Sequence, residues 1–218
     1  MDWFLRSTAA AEVLKKPNAS MPLRDLIALC NAIVTGYPIL YGDGVISKLR
    51  GDDMNGNVGR LEAAASELEK AAPGACPTLA DLLARRGAGG APPSPHDPGV
   101  YGARWVSRTL RFVALLLHKL AADPELSISE AGRATYAAVI APHHMPVMAF
   151  VVAFILRWAP RRSWVLANPL GGASNEAACA ACAALSGLVG PVAEAVAEAL
   201  AERGLDFTDR ISAIPGGW

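Results

Sequence analysis

Asp53, Asn57 and Arg60 stand at i, i+4 and i+7 in the stretch VISKLRGDDMNGNVGRL. That spacing stacks three side chains on one face of an α-helix. A carboxylate accepts hydrogen bonds, a guanidinium donates them and an amide does both. Such a face can grip the hydroxyls or the amide of a ligand. The same residues also make an ordinary solvated helix face, and Asn55-Gly56 is a turn signal that would break the helix beneath them. Two later stretches carry matching chemistry. In WVSRTLRF, Trp105, Arg108 and Phe112 share a face at i, i+3 and i+7 while Arg111 points away. Their bland reading is half-buried packing with a snorkelling arginine. His143 and His144 add an imidazole pair, but adjacent residues point to different sides of a helix and further metal ligands are lacking.

Other chemistries find less support. Cys179-Ala-Ala-Cys182 has no second pair to complete a zinc site and no βαβ context for a redox motif, so the two thiols read as packing. Asp52 or Asp53 with His144 would make an acid–base pair for a hydrolase. No nucleophile elbow, metal set or phosphate loop accompanies them. The chain reads as a non-enzyme without cofactor or metal.

The elements that position these residues are helical. Of the 218 residues 52% are hydrophobic and only 6% aromatic, and the alanine and leucine content favours helix over strand. No strand-period alternation or fixed repeat is present. Formal net charge is zero, which removes a strong electrostatic case for nucleic acid or for acidic membranes. The start MDWFLR lacks the features of a signal peptide, and the four cysteines read as buried free thiols in a reducing cytoplasm. Residues 1–20 read as an N-terminal extension with a short helix to Lys16, and 21–218 as a single domain. Ser20 and Pro22 open LRDLIALCNAIV, which ends at Tyr37-Pro38 and Gly42-Asp43-Gly44. The next helix spans Val45–Ala71. Gly56 and Gly59 within it each cost about 1 kcal/mol relative to alanine, which makes sense if something approaches the backbone there. A short helix follows from Thr78, then a loop over Gly87–Pro98, then a helix over Gly99–Ala122. Ser127 or Ser129 starts another, interrupted at Pro142. Met145–Leu156 is apolar on every face, too short to span a bilayer, and is expected to be buried on both sides. One or two helices from Asn175 to Arg203, broken at Gly190-Pro191, complete the chain.

Three motifs in order, Asp53-x-x-Gly56-Asn57-x-x-Arg60, Trp105-x-x-Arg108-x-Leu110-Arg111-Phe112, and Tyr136 eight residues ahead of His144, resemble the glycolipid transfer protein family over Leu23 to Trp158. The resemblance implies an all-α two-layer helical sandwich of about eight helices. It also implies a soluble carrier that binds a sphingolipid, a glycosylceramide above all, and moves it between membranes. Head-group binding then falls to Asp53, Asn57, Arg60, Trp105, Arg108 and His144. The apolar chain pocket falls to Phe112, Val147, Phe150, Val151 and Phe154. Asp53 and His144 offer an acceptor and a donor to the lipid's amide, and Trp105 a flat face for a sugar ring. Asn57 and Arg60 can bond its hydroxyls. Exposing a sixteen-carbon chain to water costs about 13 kcal/mol, so a carrier with a matching pocket removes most of the barrier to exchange. Expected partners are the sphingolipid and, transiently, a membrane surface, with the protein a monomer.

Asn57 and Trp105 match the sugar-binding branch of the family; the ceramide-1-phosphate branch is basic at both places. Arg60, Arg108 and Arg111 keep a phosphate head group as the alternative. Two departures concern the membrane. Pro146 stands where the family often has a tryptophan, and the aromatic approach to the first motif is thin, with Tyr37 and Tyr41.

Overall fold

The chemistry of helix starts decides where most elements begin. The computed structural model describes residues 2–14, 16–38, 45–85, 93–167 and 170–206. Among them are α1 (Asp2–Val13), α2 (Leu23–Val34), α3 (Val45–Ala71), α4 (Leu79–Ala84), α5 (Pro98–Ala122), α6 (Ile128–Val139), α7 (Pro146–Ile155), α8 (Arg162–Ala167) and α9 (Asn175–Ala201). Two 3₁₀ turns, Ala141–His143 and Leu156–Trp158, flank α7. Thr78 with Asp81, and Ser127 with Glu130, form capping boxes at α4 and α6, each satisfying donors the helix leaves open. At α5 the cap is Asp97, which accepts from the backbone of Gly99 and Val100 with Pro98 in the first turn. The second oxygen of Asp97 takes Arg85 Nη2 at 2.7 Å, and Arg85 also pairs with Glu67. The starts and ends of three helices are thereby fastened together.

The fold is all-α, a two-layer helical sandwich, with no strand among the described residues. Helix α5 runs through its middle, packed on α9, α3 and α6; α2 lies on α3, and α1 bridges α2 and α9. Residues ahead of position 21, expected as an extension, form α1, whose Trp3 and Phe4 are buried in the same core. Trp3 Nε1 donates to Ala32 O at 3.0 Å. Helix α9 is long and apolar enough to cross a membrane, but here it packs along α5. Two hydroxyls pin it there, Ser107 to Ala193 O at 2.9 Å and Ser186 to Ala114 O at 2.8 Å.

Four expectations need correction. Helix α2 starts at Leu23 without a side-chain cap from Ser20, because the backbone supplies the partner. Leu23 N donates to Pro77 O and Leu79 N to Met21 O. Helix α9 continues through Pro191; packing along α5 outweighs the proline's local cost. Cys76 is exposed rather than buried, although Cys30 and Cys182 are buried and all four thiols are free. Burial pushes the Cys182 thiol up to about 12. The fourth concerns Met145–Leu156. Among the described residues helix α7 packs chiefly on α6 and the turn that follows it, and it holds no buried residue. Val147, Phe150, Val151 and Phe154 are exposed, Val147 at 74% and Phe150 at 72%. An all-apolar helix thus has one side that the described residues leave exposed. Tyr41, the Gly42–Gly44 cluster and much of the Gly87–Pro98 loop lie outside the described residues.

Helix α3 runs unbroken through Asn55-Gly56, but its glycines are not where another backbone comes near. A Cβ on Gly59 would meet nothing within 4 Å, and one on Gly56 only the Arg60 side chain. The close approach is at Gly102 of α5, where a Cβ would stand 2.8 Å from Asn57 O and 3.1 Å from Arg60 Cβ. Alanine at either position gains about 1 kcal/mol of helix propensity. At 102 it must also force α5 from α3, an overpacking cost of about 1–3 kcal/mol. Urea denaturation should therefore find Gly59→Ala more stable than the parent and Gly102→Ala less stable than Gly59→Ala by that margin. Equal gains in the two would show that the helices have room to spare.

Candidate functional site

The Gly102 contact brings the first motif against the second. On α3, Asn57 is 1% exposed. Its amide donates to Asp53 O at 3.0 Å and reaches Asp53 Oδ1 at 3.5 Å, while its own oxygen accepts from Arg60 Nη1 at 3.0 Å. The three motif residues therefore form one bonded row, with Asp53 exposed at its end and Asn57 locked inside. Asn57 is thus engaged within the protein rather than presented to hydroxyls.

Arg60 crosses to α5, its guanidinium 5.1 Å from the centre of the Tyr101 ring. Tyr101 lies 6.4 Å from Trp105, and Trp105 lies 5.6 Å from the His144 ring. His144 closes the row on α6, where Tyr136 Oη is 2.7 Å from His144 Nδ1. With the phenol donating, the imidazole proton sits on Nε2, leaving that nitrogen as a donor. Proline at 142 helps place this ring. It ends α6 in a 3₁₀ turn, after which His144 takes an extended backbone. Asn57, Arg60, Trp105 and His144 are thus joined at one end of α5 through Tyr101.

Trp105 does not present an open plane. It is 7% exposed, with Tyr101, His144 and the Arg108 guanidinium around it, the last 5.1 Å from the ring. A sugar could stack there only if these side chains part. The indole Nε1 and His143 Nδ1 are buried without a hydrogen-bond partner among the described residues. Buried donors are normally satisfied, so these are sites at which a ligand atom would be welcome.

Charge gathers at the same end of α5. Arg104 is 3% exposed, lies over Tyr101 at 5.5 Å and donates to Pro95 O at 3.2 Å. Arg108 Nη2 donates to Asp206 Oδ1 at 3.1 Å. Burial holds the Arg108 guanidinium below its ordinary range despite that carboxylate, and burial likewise lowers His143, helped by Arg108. Arg111 points away, as expected, and pairs with Glu194 at the surface. Tyr101 and Arg104 were not singled out in the sequence. Tyr101 was legible in principle, since it precedes Trp105 by one turn and Arg108 by two; Asp206 carried no signal.

Phe112 is buried in the core at 2%. A cavity of about 30 Å³ lies elsewhere, lined by Phe4, Leu120, Ile128, Val165 and Cys182 among others. It is the size of a single water and not of a hydrocarbon chain. Residues 131–175, which include α7, hold four arginines and no aspartate or glutamate. Trp158 and Trp164 in this stretch are exposed at 71% and 46%. No group of His, Cys, Asp and Glu able to hold a metal occurs among the described residues.

The fold is shared with solved structures. Human ceramide-1-phosphate transfer protein, complexed with 12:0 ceramide-1-phosphate, superposes with a TM-score of 0.70 at 19% identity, covering 93% of this chain and 96% of that one. A point mutant of Arabidopsis accelerated-cell-death 11, complexed with C12 ceramide-1-phosphate, gives 0.70 at 18%, covering 94% and 98%. The fungal glycolipid transfer protein HET-C2 gives 0.66 at 16%, covering 85% and 88%. No curated protein sequence matches the chain. The sequence model "Glycolipid transfer protein (GLTP)" matches residues 21–169, most of the chain, and with the three motifs inside that span the protein belongs to the glycolipid transfer protein family.

Proposed function

We propose that this protein binds a sphingolipid and transfers it between membranes, with a glycosylceramide as its preferred cargo. The observation that carries the reading is the row from Asp53 through Arg60, Tyr101 and Trp105 to His144. An amide needs one acceptor and one donor. The Asp53 carboxylate accepts from the ceramide N–H, and His144 Nε2, with Tyr136 holding Nδ1, donates to the ceramide carbonyl. A lipid without the amide leaves both groups unpaired, at about 1–3 kcal/mol each. The orphaned indole N–H of Trp105 donates to a sugar oxygen once its neighbours part. Phe112 lies behind, and Val147, Phe150, Val151 and Phe154 give the chains an apolar path from the bilayer. The working unit is a monomer with residues 21–218 as one lipid-binding domain, onto whose core α1 packs. It acts in the cytoplasm at membrane surfaces, with no nucleic acid, cofactor or metal and no bond made or broken.

A second reading, ceramide-1-phosphate as cargo, is favoured by Arg60, Arg104 and Arg108 gathered on Tyr101 and Trp105. Guanidiniums bind phosphate well. The test uses vesicles loaded with fluorescent glucosylceramide. The expected result is movement of intact lipid to acceptor vesicles without added metal or nucleotide. A new lipid species in the tube would mean a hydrolase, and no movement, with no sphingolipid co-purifying by mass spectrometry, would mean a helical interaction module.

A further inference from the structure

We propose that Asp206 sets the head-group choice of this site by neutralising Arg108, so that an uncharged sugar is accepted and a phosphate is turned away. The inference rests on the carrier reading and concerns a residue outside its motifs. Arg108 lies over the indole, 5.1 Å from its ring, and its side chain is 8% exposed. Arg60 is already bonded to Asn57, and Arg104 to Pro95 O. With Asp206 removed, three guanidiniums on two aromatic rings would make a strong phosphate cradle. With it present, a phosphate reaching Arg108 would meet a carboxylate in a partly dehydrated site, and like charges there oppose binding. Sugar hydroxyls meet no such opposition.

The end of α9 holds Asp206 in place. Gly204 takes a left-handed backbone, φ 64°, Gly204 N bonds to Ala201 O and Leu205 N to Leu200 O, both at 2.9 Å. This pair of bonds is the Schellman closure that turns a chain back across its helix. Leu205, 4% exposed, anchors the turn in the core. The next residue is therefore delivered to Arg108 by a fixed turn, and the pairing is part of the fold's design rather than a chance surface contact.

The experiment compares transfer of C12 ceramide-1-phosphate and of glucosylceramide, equally labelled, from phosphatidylcholine vesicles. In Asp206→Asn the ratio of phosphate to sugar lipid moved should rise about tenfold, because a like charge is gone. Asp206→Glu should keep the parent ratio, and adding Arg108→Gln to Asp206→Asn should abolish the gain. An unchanged ratio in Asp206→Asn, or a gain that persists without Arg108, overturns the inference. A parent protein that prefers ceramide-1-phosphate overturns it too while leaving the carrier reading standing. A parent that moves neither lipid removes both.

Discussion

Asp53→Val should reduce glucosylceramide transfer about 100-fold or more while leaving the fold intact. The substitution is close to isosteric, and it removes the acceptor that the proposed site offers to the ceramide N–H and a sugar hydroxyl. Two donors left unpaired cost about 1–3 kcal/mol each, and at 1.4 kcal/mol per tenfold step the middle of that range, about 4 kcal/mol, is nearly three steps. The row on α3 makes this a clean experiment. The shorter Asn57 amide bond, at 3.0 Å, goes to the Asp53 backbone oxygen and survives the change, while the 3.5 Å contact is made by the carboxylate. Asp53 is exposed, so little core packing is at stake and the unfolding midpoint should barely move. Asp52 would be the natural control, but its side chain lies outside the described residues; Asn55, exposed and two positions on, serves instead. Asn55→Ala should transfer like the parent. Equal losses in both variants, or undiminished transfer by Asp53→Val with the fold intact, would remove Asp53 from the site.

Periodicity and capping chemistry made the helices legible. Val45–Ala71 emerged with both ends correct, and Thr78 and Ser127 mark the starts of α4 and α6 because their hydroxyls satisfy open amides. The site was legible only as a set of spacings. Nothing local in the sequence says that Gly102 is the point where α5 touches α3, since a glycine's reason lies in the other helix. The burial of Trp105 and the internal bonding of Asn57 arise in the same way, from Tyr101, His144 and Arg60 closing around them. Asp206 lies 98 residues from Arg108, and a pairing at that range leaves no periodic trace. Helix α7 departs from expectation for a different reason. Apolarity on all faces does not by itself mean burial in protein; it states only that some apolar partner is needed, and that partner need not be protein.

Phe150→Ser with Phe154→Ser should abolish most vesicle association, and with it most transfer, without unfolding the protein. Phe150 and Phe154 are 72% and 49% exposed and stacked on each other one turn apart on α7, their ring centres 6.5 Å apart. Burying such a side chain in an apolar medium is worth about 1.5–3 kcal/mol, so losing two should weaken partition into a bilayer by at least 100-fold. The fold loses little because neither ring is part of the buried core. Tryptophans settle at the membrane–water boundary, and Trp158 and Trp164 are exposed on the segment that follows. Arg157 and Arg161 are exposed beside them, in a stretch free of carboxylates. Anionic lipid should therefore strengthen docking of the parent and salt should weaken it, since each basic side chain near such a surface contributes about 1 kcal/mol that is screened within a Debye length. Sedimentation with vesicles lacking any sphingolipid separates docking from cargo binding. In that assay the double variant should remain in the supernatant while Asp53→Val pellets with the vesicles like the parent. If the double variant pelleted as well as the parent, the exposed face of α7 would have some other use and the membrane would have to be met elsewhere.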